Sequence, residues 1–246
     1  MSSGISAWLP IGQNCWRTKP GAPVLSLAED RWLSEQIGKP VFRLTGEPPE
    51  SLPAGFVYTK VRAGDPARLR SLQERGFQLV DTAAVFESPL PLLLPADRGT
   101  DFRMATPRDK EALLRIAREA FVYDRFHADP AIPKDVADRL KEAWLANYFS
   151  GKRGDWLVVG EAGGVAAGFL LLLQSDEKLV IDLIAVAQDQ RGAGIARGMI
   201  AFAAASFPQS KTMQVGTQIA NIPSIRLYER LGFRMVDAQH ILHCHQ

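Results

Sequence analysis

The sequence predicts an α/β fold, a mixed sheet with helices on both faces, and three observations carry that expectation. Apolar strand-like runs alternate with stretches of helical period through the second half of the chain. A glycine-rich turn around 191–194 joins one of those strands to an apolar helix. A helix–glycine–strand pattern occurs once in each half. The chain has 246 residues, comfortable for two domains. Residues 88–100, "SPLPLLLPADRGT", hold three prolines, which stop helix and central strand alike. The predicted division is a smaller N-terminal α/β domain over 1–92 and a second domain over 101–246.

In the second domain a short strand is expected at 101–105. Then "TPRDKEALLRIAREAF" opens a helix: Thr106 fits the N-cap, Pro107 the first helical position, and Asp109 lies three residues after the cap. Leu113, Ile116, Ala117 and Ala120 fall on its apolar face. A second helix follows "ADPAIP", with Val136, Leu140, Trp144 and Tyr148 four residues apart. Three strands follow: "WLVVGE" (156–161), "VAAGFLLLL" (165–173) and "KLVIDLIAV" (178–186). After the glycine turn come a helix (about 194–206), a strand (212–217), a helix (222–232) and a last strand (233–242). In the first half, "LQERGFQLVDTAAVF" (72–86) echoes "YERLGFRMVDAQHIL" (228–242). Gly76, Phe77, Val80 and Asp81 align with Gly232, Phe233, Val236 and Asp237. The first half has Leu72 in place of Tyr228 and no glycine turn. It reads as a degenerate half-copy, with any active site in the second half. Convergent helix–glycine–strand punctuation is the alternative.

Hydrophobic residues at 46% and charged residues at 23% are ordinary for a soluble protein. A net charge of +2 gives no push toward nucleic acid. Cys15 and Cys244 make no disulfide framework, which points to a reducing compartment. "MSSGISAWLPIGQNCW" lacks the basic and apolar regions of a signal peptide. The apolar run 164–173 is far short of the roughly 20 residues a membrane span needs. The expectation is a cytoplasmic protein, monomer or homodimer, acting on a small molecule without nucleic-acid or membrane partners.

The glycine turn "RGAGIA" carries the chemistry. Gly192 and Gly194 let backbone amides approach a ligand closely. The helix N-terminus behind them favours an anion, and Arg191 adds a forked cation suited to phosphate. The pattern fits a pyrophosphate cradle. It is neither a Walker loop nor the dinucleotide fingerprint. A tight strand-to-helix turn with no ligand is the structural alternative.

"RGAGIA" (191–196) resembles the Arg/Gln-x-x-Gly-x-Gly/Ala loop of the GCN5-related N-acetyltransferases, the GNAT superfamily. "NIPSIRLYERLGF" (221–233) resembles that family's Asn-x-x-(Ala/Ser)-x-x-x-Tyr-x-x-x-Gly-Phe segment. The resemblance covers 101–246. It implies the GNAT acyltransferase fold, with acetyl-CoA as co-substrate. It implies that the amides of Arg191, Gly192, Ala193, Gly194, Ile195 and Ala196 hold the pyrophosphate. Ile184, Ala185 and Val186 would hold the pantetheine arm through main-chain bonds, with an amide there on the oxyanion. Asn221 would hold the arm, and Tyr228 would protonate the departing thiolate. A phenol of pKa about 10 suits that role. "YDRFHADPAI" (123–132), "QVGTQIAN" (214–221) and a first half ending "GFQLVDTAAVFE" resemble the nucleotide-sugar N-acetyltransferases, those acting on dTDP-linked 4-amino-4,6-dideoxygalactose. The implied activity is direct acetyl transfer to such an amine. A peptide α-amine, an amino acid or an antibiotic remain alternative acceptors, and a non-catalytic acyl-CoA-binding module is an alternative of another class.

The attacking amine must be neutral, so a base or a water chain is needed. Asp182, His127, Asp124 and Asp129 are the candidates. His127 has a suitable intrinsic pKa, but it also fits a positioning residue, and Asp124 or Asp129 also fits a helix cap. Asp124, Arg125 and His127 are candidate acceptor-binding residues. At the C-terminus, His240, His243, Cys244 and His245 are potential metal ligands. His243 and His245 share a strand face while Cys244 points away, and no second cluster completes a site, so no metal is expected.

Overall fold

Among the described residues, ten strands form one sheet in the order β1-β2-β3-β10-β4-β9-β8-β7-β6-β5. The computed structural model describes residues 26–92 and 101–246. Cys15, the stretch read for a signal peptide and residues 93–100 of the proline-rich connection lie outside them. The first half contains β1 (Leu27–Glu29), α1 (Arg31–Ile37), β2 (Val41–Leu44), β3 (Phe56–Arg62), α2 (Pro66–Glu74) and β4 (Gln78–Pro89). The second contains β5 (Asp101–Met104), α3 (Lys110–Ala120), α4 (Arg125–Ala128), α5 (Lys134–Phe149), β6 (Trp156–Ala162), β7 (Val165–Ser175) and β8 (Lys178–Val186). It closes with α6 (Ile195–Ser206), β9 (Thr212–Gln218), α7 (Ile222–Arg230) and β10 (Arg234–His245). The expected elements are present. The last strand runs three residues beyond its expected end, because β10 stays paired with β3 through His245↔Phe56.

The strands of 1–92 and 101–246 interleave in this one sheet rather than forming two. β10 lies between β3 and β4, and β4 lies between β10 and β9. The echo extends further than its sequence showed. β3–α2–β4 begin at 56, 66 and 78, and β9–α7–β10 at 212, 222 and 234, a constant offset of 156 with matching lengths. Equivalent residues Ala83 and Gln239 pair with each other, flanked by Ala84↔Ala238 and Thr82↔His240. A pseudo-twofold axis therefore passes through the β4·β10 ladder.

Burial of alternate strand faces holds the layers together. α6 and α7 cover a core that includes Met199, Ala203, Val215, Tyr228 and Phe233. α3 and α5 cover a second, around Leu113, Leu145, Leu157 and Phe169. In a third, Phe126 and Leu140 meet Leu33, Phe56 and Tyr58 of the first half. Close approach of α6 depends on missing Cβ atoms. A Cβ at Gly198 would lie 2.0 Å from the Phe102 ring, and one at Gly160 only 2.7 Å from the Ile195 side chain of α6.

Candidate active site

β8 and β9 run parallel and paired from Lys178↔Thr212 to Ile181↔Val215, and their ladder stops there. Both strands continue, to Val186 and Gln218. A bulge causes the parting: Ile181 faces Leu172 and Leu183 faces Leu171, so Asp182 is the extra residue. The Asp182 side chain is buried and binds Arg153 at 2.5 and 2.7 Å and the Trp144 indole at 3.0 Å. Beyond the bulge, Ile184, Ala185 and Val186 keep their β7 partners Leu170, Phe169 and Gly168. Their β9 side carries no ladder. A cleft between parted strands, with open backbone, is a place for an extended amide-bearing chain.

The glycine turn stands at the open end of β8. Gly192 and Gly194 take φ of 83° and 84°, a left-handed conformation that a side chain would strain. Gly194 caps α6 without a side chain. Gly198 N–H donates to Gly194 O at 2.9 Å, so the amides of Ile195, Ala196 and Arg197 precede the first intrahelical bond. Ala193 is exposed beside them, while the Ile195 side chain is buried and anchors the turn. Arg191 folds back, donating to Ala120 O (3.1 Å) and Val186 O (3.4 Å), and so ties the turn to the ends of α3 and β8.

Across the cleft, Asn221 caps α7. Its oxygen accepts from Ser224 N–H (3.3 Å) and its amide donates to Thr217 Oγ1 (3.2 Å). Tyr228 lies two turns along, only 2% exposed, between Phe86 and Phe233. Ile184 and Val186 pack against the same core cluster. Burial pushes the Tyr228 phenol up, with a Ser224 hydrogen bond opposing, so the group stays protonated.

The segment 123–132 is engaged differently from a free base. His127 donates from Nδ1 to Asp124 (2.7 Å) and from Nε2 to Asp138 (2.9 Å), and both contacts favour its charged form. Asp124 caps α4 through Phe126 N–H (2.9 Å). Burial opposes its ionisation, but Lys141 and His127 outweigh it and hold the carboxyl below its usual range. Both residues, and Asp182, are thus committed to neighbours within the fold. Arg125 is stacked over Tyr58, 4.1 Å from the ring centre.

Asp129 supplies the partner that the C-terminal histidines lacked in the sequence. Its Oδ2 lies 2.6 Å from His243 Nδ1 and 2.7 Å from His245 Nε2. These three donors lie within 4.8 Å of one another, a spacing that a metal could use. The chemistry fits a hydrogen-bond chain better. Lys39 Nζ lies 3.0 Å from His245 Nδ1, and Arg125 Nη1 lies 3.5 Å from His243 Nε2. Lysine and arginine only donate. The outer ring nitrogens therefore accept, and the inner ones carry the protons given to Asp129. A metal on the inner nitrogens would turn N–H groups toward two cations.

A family model described as the acetyltransferase (GNAT) family matches residues 111–233. The chain belongs to this family. The spore coat polysaccharide biosynthesis protein SpsD of Bacillus subtilis (strain 168) is 32% identical over 139 residues, 56% of this chain and 48% of that protein. The chain thus spans about half of that relative's length. A dTDP-fucosamine acetyltransferase of Escherichia coli O6:H1 is 28% identical over 207 residues, covering 80% of this chain and 87% of that one. The crystal structure of a GCN5-related N-acetyltransferase from Sphaerobacter thermophilus superposes with a TM-score of 0.56 at 19% identity, over 77% of this chain and 60% of that one.

Within this GNAT fold, the first half contributes a residue that sequence reasoning missed. Asp81 of β4 sits just past the end of the β4·β9 ladder, where Ile219 N–H donates to Thr82 O. Its Oδ1 accepts from Thr82 N–H at 2.7 Å, while Oδ2 is buried with no partner. Burial, helped by the charge of Asp124, pushes its pKa up to about 6, against Thr82, Arg125 and Gln218. The echo had marked Asp81 only as a match to Asp237. No helix among the described residues is long and apolar enough to cross a membrane.

Proposed function

We propose that the chain moves the acetyl group of acetyl-CoA to a primary amine on a nucleotide-linked sugar, by direct attack within a ternary complex. The observation that carries the transfer is the parting of β8 and β9 after the Asp182 bulge, with the glycine turn at its end. In this reading the pantetheine arm lies along Ile184–Val186, and the amides from Arg191 to Ala196 meet the pyrophosphate. Asn221 borders the arm. The neutral amine attacks the thioester carbon, an amide of β8 stabilises the oxyanion, and the carbon–nitrogen bond forms as the carbon–sulfur bond breaks. Tyr228 gives its proton to the departing thiolate. Asp81 takes the proton shed by the amine, since a half-buried carboxyl with one unpartnered oxygen and a pKa of about 6 is suited to that task.

The acceptor rests on the relative that covers both halves of this chain, the dTDP-fucosamine acetyltransferase. A thiol-release assay with acetyl-CoA tests it against dTDP- and UDP-linked amino sugars, free amino acids, N-terminal peptides and aminoglycosides. Turnover confined to nucleotide-linked sugars is expected. Turnover of a peptide or small amine in their place would keep the transfer and discard the acceptor. Acetyl-CoA binding without turnover of any amine would favour a binding module.

A further inference from the structure

The first half builds a platform beneath one cation. Tyr58 of β3 donates its hydroxyl to Asp30 at 2.8 Å, and Asp30 caps α1 through Leu33 N–H. The Arg125 guanidinium lies over the Tyr58 ring and 4.5 Å from the centre of the Phe126 ring. Its edge meets His243 Nε2, and the other nitrogen of that ring is fixed by Asp129. The chain Lys39–His245–Asp129–His243–Arg125 therefore joins α1's end, β10 and α4. Burial moves His243 down to about 4, with the Asp129 hydrogen bond opposing, so its imidazole stays neutral and can accept from Arg125.

The charge of Arg125 is not consumed by this arrangement. Among the described residues it forms no ion pair, and the nearby acids of its own and adjacent segments are taken by other partners. Asp124 is taken by His127 and Lys141, and Asp138 by His127 and Lys134. Asp129 is taken by the two histidines. Asp81 feels the Arg125 charge without pairing to it, and Asp81 sits beside the end of the β4·β9 ladder, where Ala83 pairs with Gln218. Stacked faces leave the in-plane N–H groups of a guanidinium available, and that fork matches phosphoryl oxygens.

We propose that Arg125 is the specificity residue for the acceptor's phosphoryl groups, and that His243 and Asp129 are its positioning residues. The inference rests on the nucleotide-linked acceptor proposed above and deepens it. It also gives the first half a role: it carries the ring on which the cation is laid.

The test uses the full chain with two acceptors, a dTDP-linked amino sugar and the same sugar without the nucleotide. Calorimetry with dTDP alone gives a second readout. Arg125→Gln should raise KM for the dTDP-linked acceptor about ten- to a hundredfold, the range for losing a hydrogen bond to a charged group. Its kcat should change far less, and dTDP affinity should fall by the same factor. Arg125→Lys should recover only part, because a lysine lacks the fork. Asp129→Asn and His243→Gln should shift the same KM selectively. A purely structural role would lower activity on both acceptors together and overturn their assignment. Equal KM changes for the two acceptors in Arg125→Gln, or unaltered dTDP binding, would overturn the proposal while leaving the acceptor intact. Wild-type protein that turns over only amines without a nucleotide would remove the proposed acceptor. In that case, dTDP binding lost in Arg125→Gln still supports the anion site, and no dTDP binding to wild type removes it as well.

Discussion

The two copies of the strand–helix–strand unit share a scaffold and differ in chemistry. Asp65 caps α2 through Arg68 N–H (3.0 Å), and its counterpart Asn221 caps α7 through Ser224 N–H (3.3 Å). Both helices are followed by a left-handed glycine, Gly76 at φ 86° and Gly232 at φ 87°. Asp81 and Asp237 each accept from the next amide, at 2.7 and 2.9 Å. The copies part at two places. Leu72 fills the position of Tyr228. The parallel pair β8 and β9 is joined through the glycine turn and α6, while β2 and β3 are joined by residues 45–55 with no helix. Arg75 donates to the Pro48 and Pro49 carbonyls and holds that loop against α2. The repeated unit thus supplies a frame, and the chemistry lies in what is inserted beside it.

The largest effect should come from separating the copies. Each last strand lies inside the other half's sheet, so residues 101–246 alone would leave β9 and β10 without the strand between them. Exposed ladder groups and an uncovered core cost far more than a domain's net stability. We expect 101–246 expressed alone to show no cooperative thermal transition by circular dichroism. A cooperative melt together with acetyl-CoA binding would show that the halves are independent units.

A second contrast sets Tyr228 against its counterpart. Tyr228→Phe keeps the packing against Phe86 and Phe233 and removes only the hydroxyl. It should lower kcat at least about tenfold, with little change in acetyl-CoA affinity. Leu72 is fully buried, so Leu72→Ala should lower stability by about 2–5 kcal/mol and leave the kcat of the folded protein in place. Steady-state kinetics and denaturant titration of both variants check the pair. An unchanged kcat in Tyr228→Phe would remove its role as the acid.

Asp81 and Asp237 offer a pH-based contrast. A base works only when deprotonated, and Asp81 has its pKa raised to about 6. Rate should therefore fall as pH drops through about 6 and level off above it. Asp81→Asn should lower kcat/KM about tenfold or more and abolish that acid limb, whereas Asp237→Asn should leave it. A limb that persists in Asp81→Asn would assign the proton to water or to another group.

Much of this was legible in the sequence because it is local. The turn at 191–194 sits where its glycines and the apolar helix behind it require, and Asn221 caps the helix that carries Tyr228. The capping box at Thr106 and Asp109 is formed as its spacing implies. What was not legible depends on distant pairing. Asp182 looked available on its strand, but Arg153, in the connection between α5 and β6, reaches it. His127 looked like a base, but Asp138 of the next helix takes its second nitrogen. Asp81 lay in the half read as degenerate, and only the insertion of β4 beside β9 carries it to the end of β9 that borders the cleft. His243 and His245 seemed to lack a partner because Asp129 lies more than a hundred residues away in sequence.

The smallest effect separates backbone strain from ligand contact. Gly192 and Gly38 have φ of 83° and 79°, and a Cβ on either would meet nothing within 4 Å. Alanine at each therefore imposes the same backbone cost, about 1–2 kcal/mol, without a steric one. At Gly38, the residue that ends α1, that cost should appear only as lower stability. At Gly192 a relaxed turn should also re-aim the amides from Ala193 to Ala196 away from a pyrophosphate. We expect Gly192→Ala to raise KM for acetyl-CoA several-fold, with kcat at saturation close to wild type, and Gly38→Ala to leave that KM unchanged. Equal KM values in the two variants would mean that the turn serves only to join β8 to α6, with the cofactor's phosphates held elsewhere.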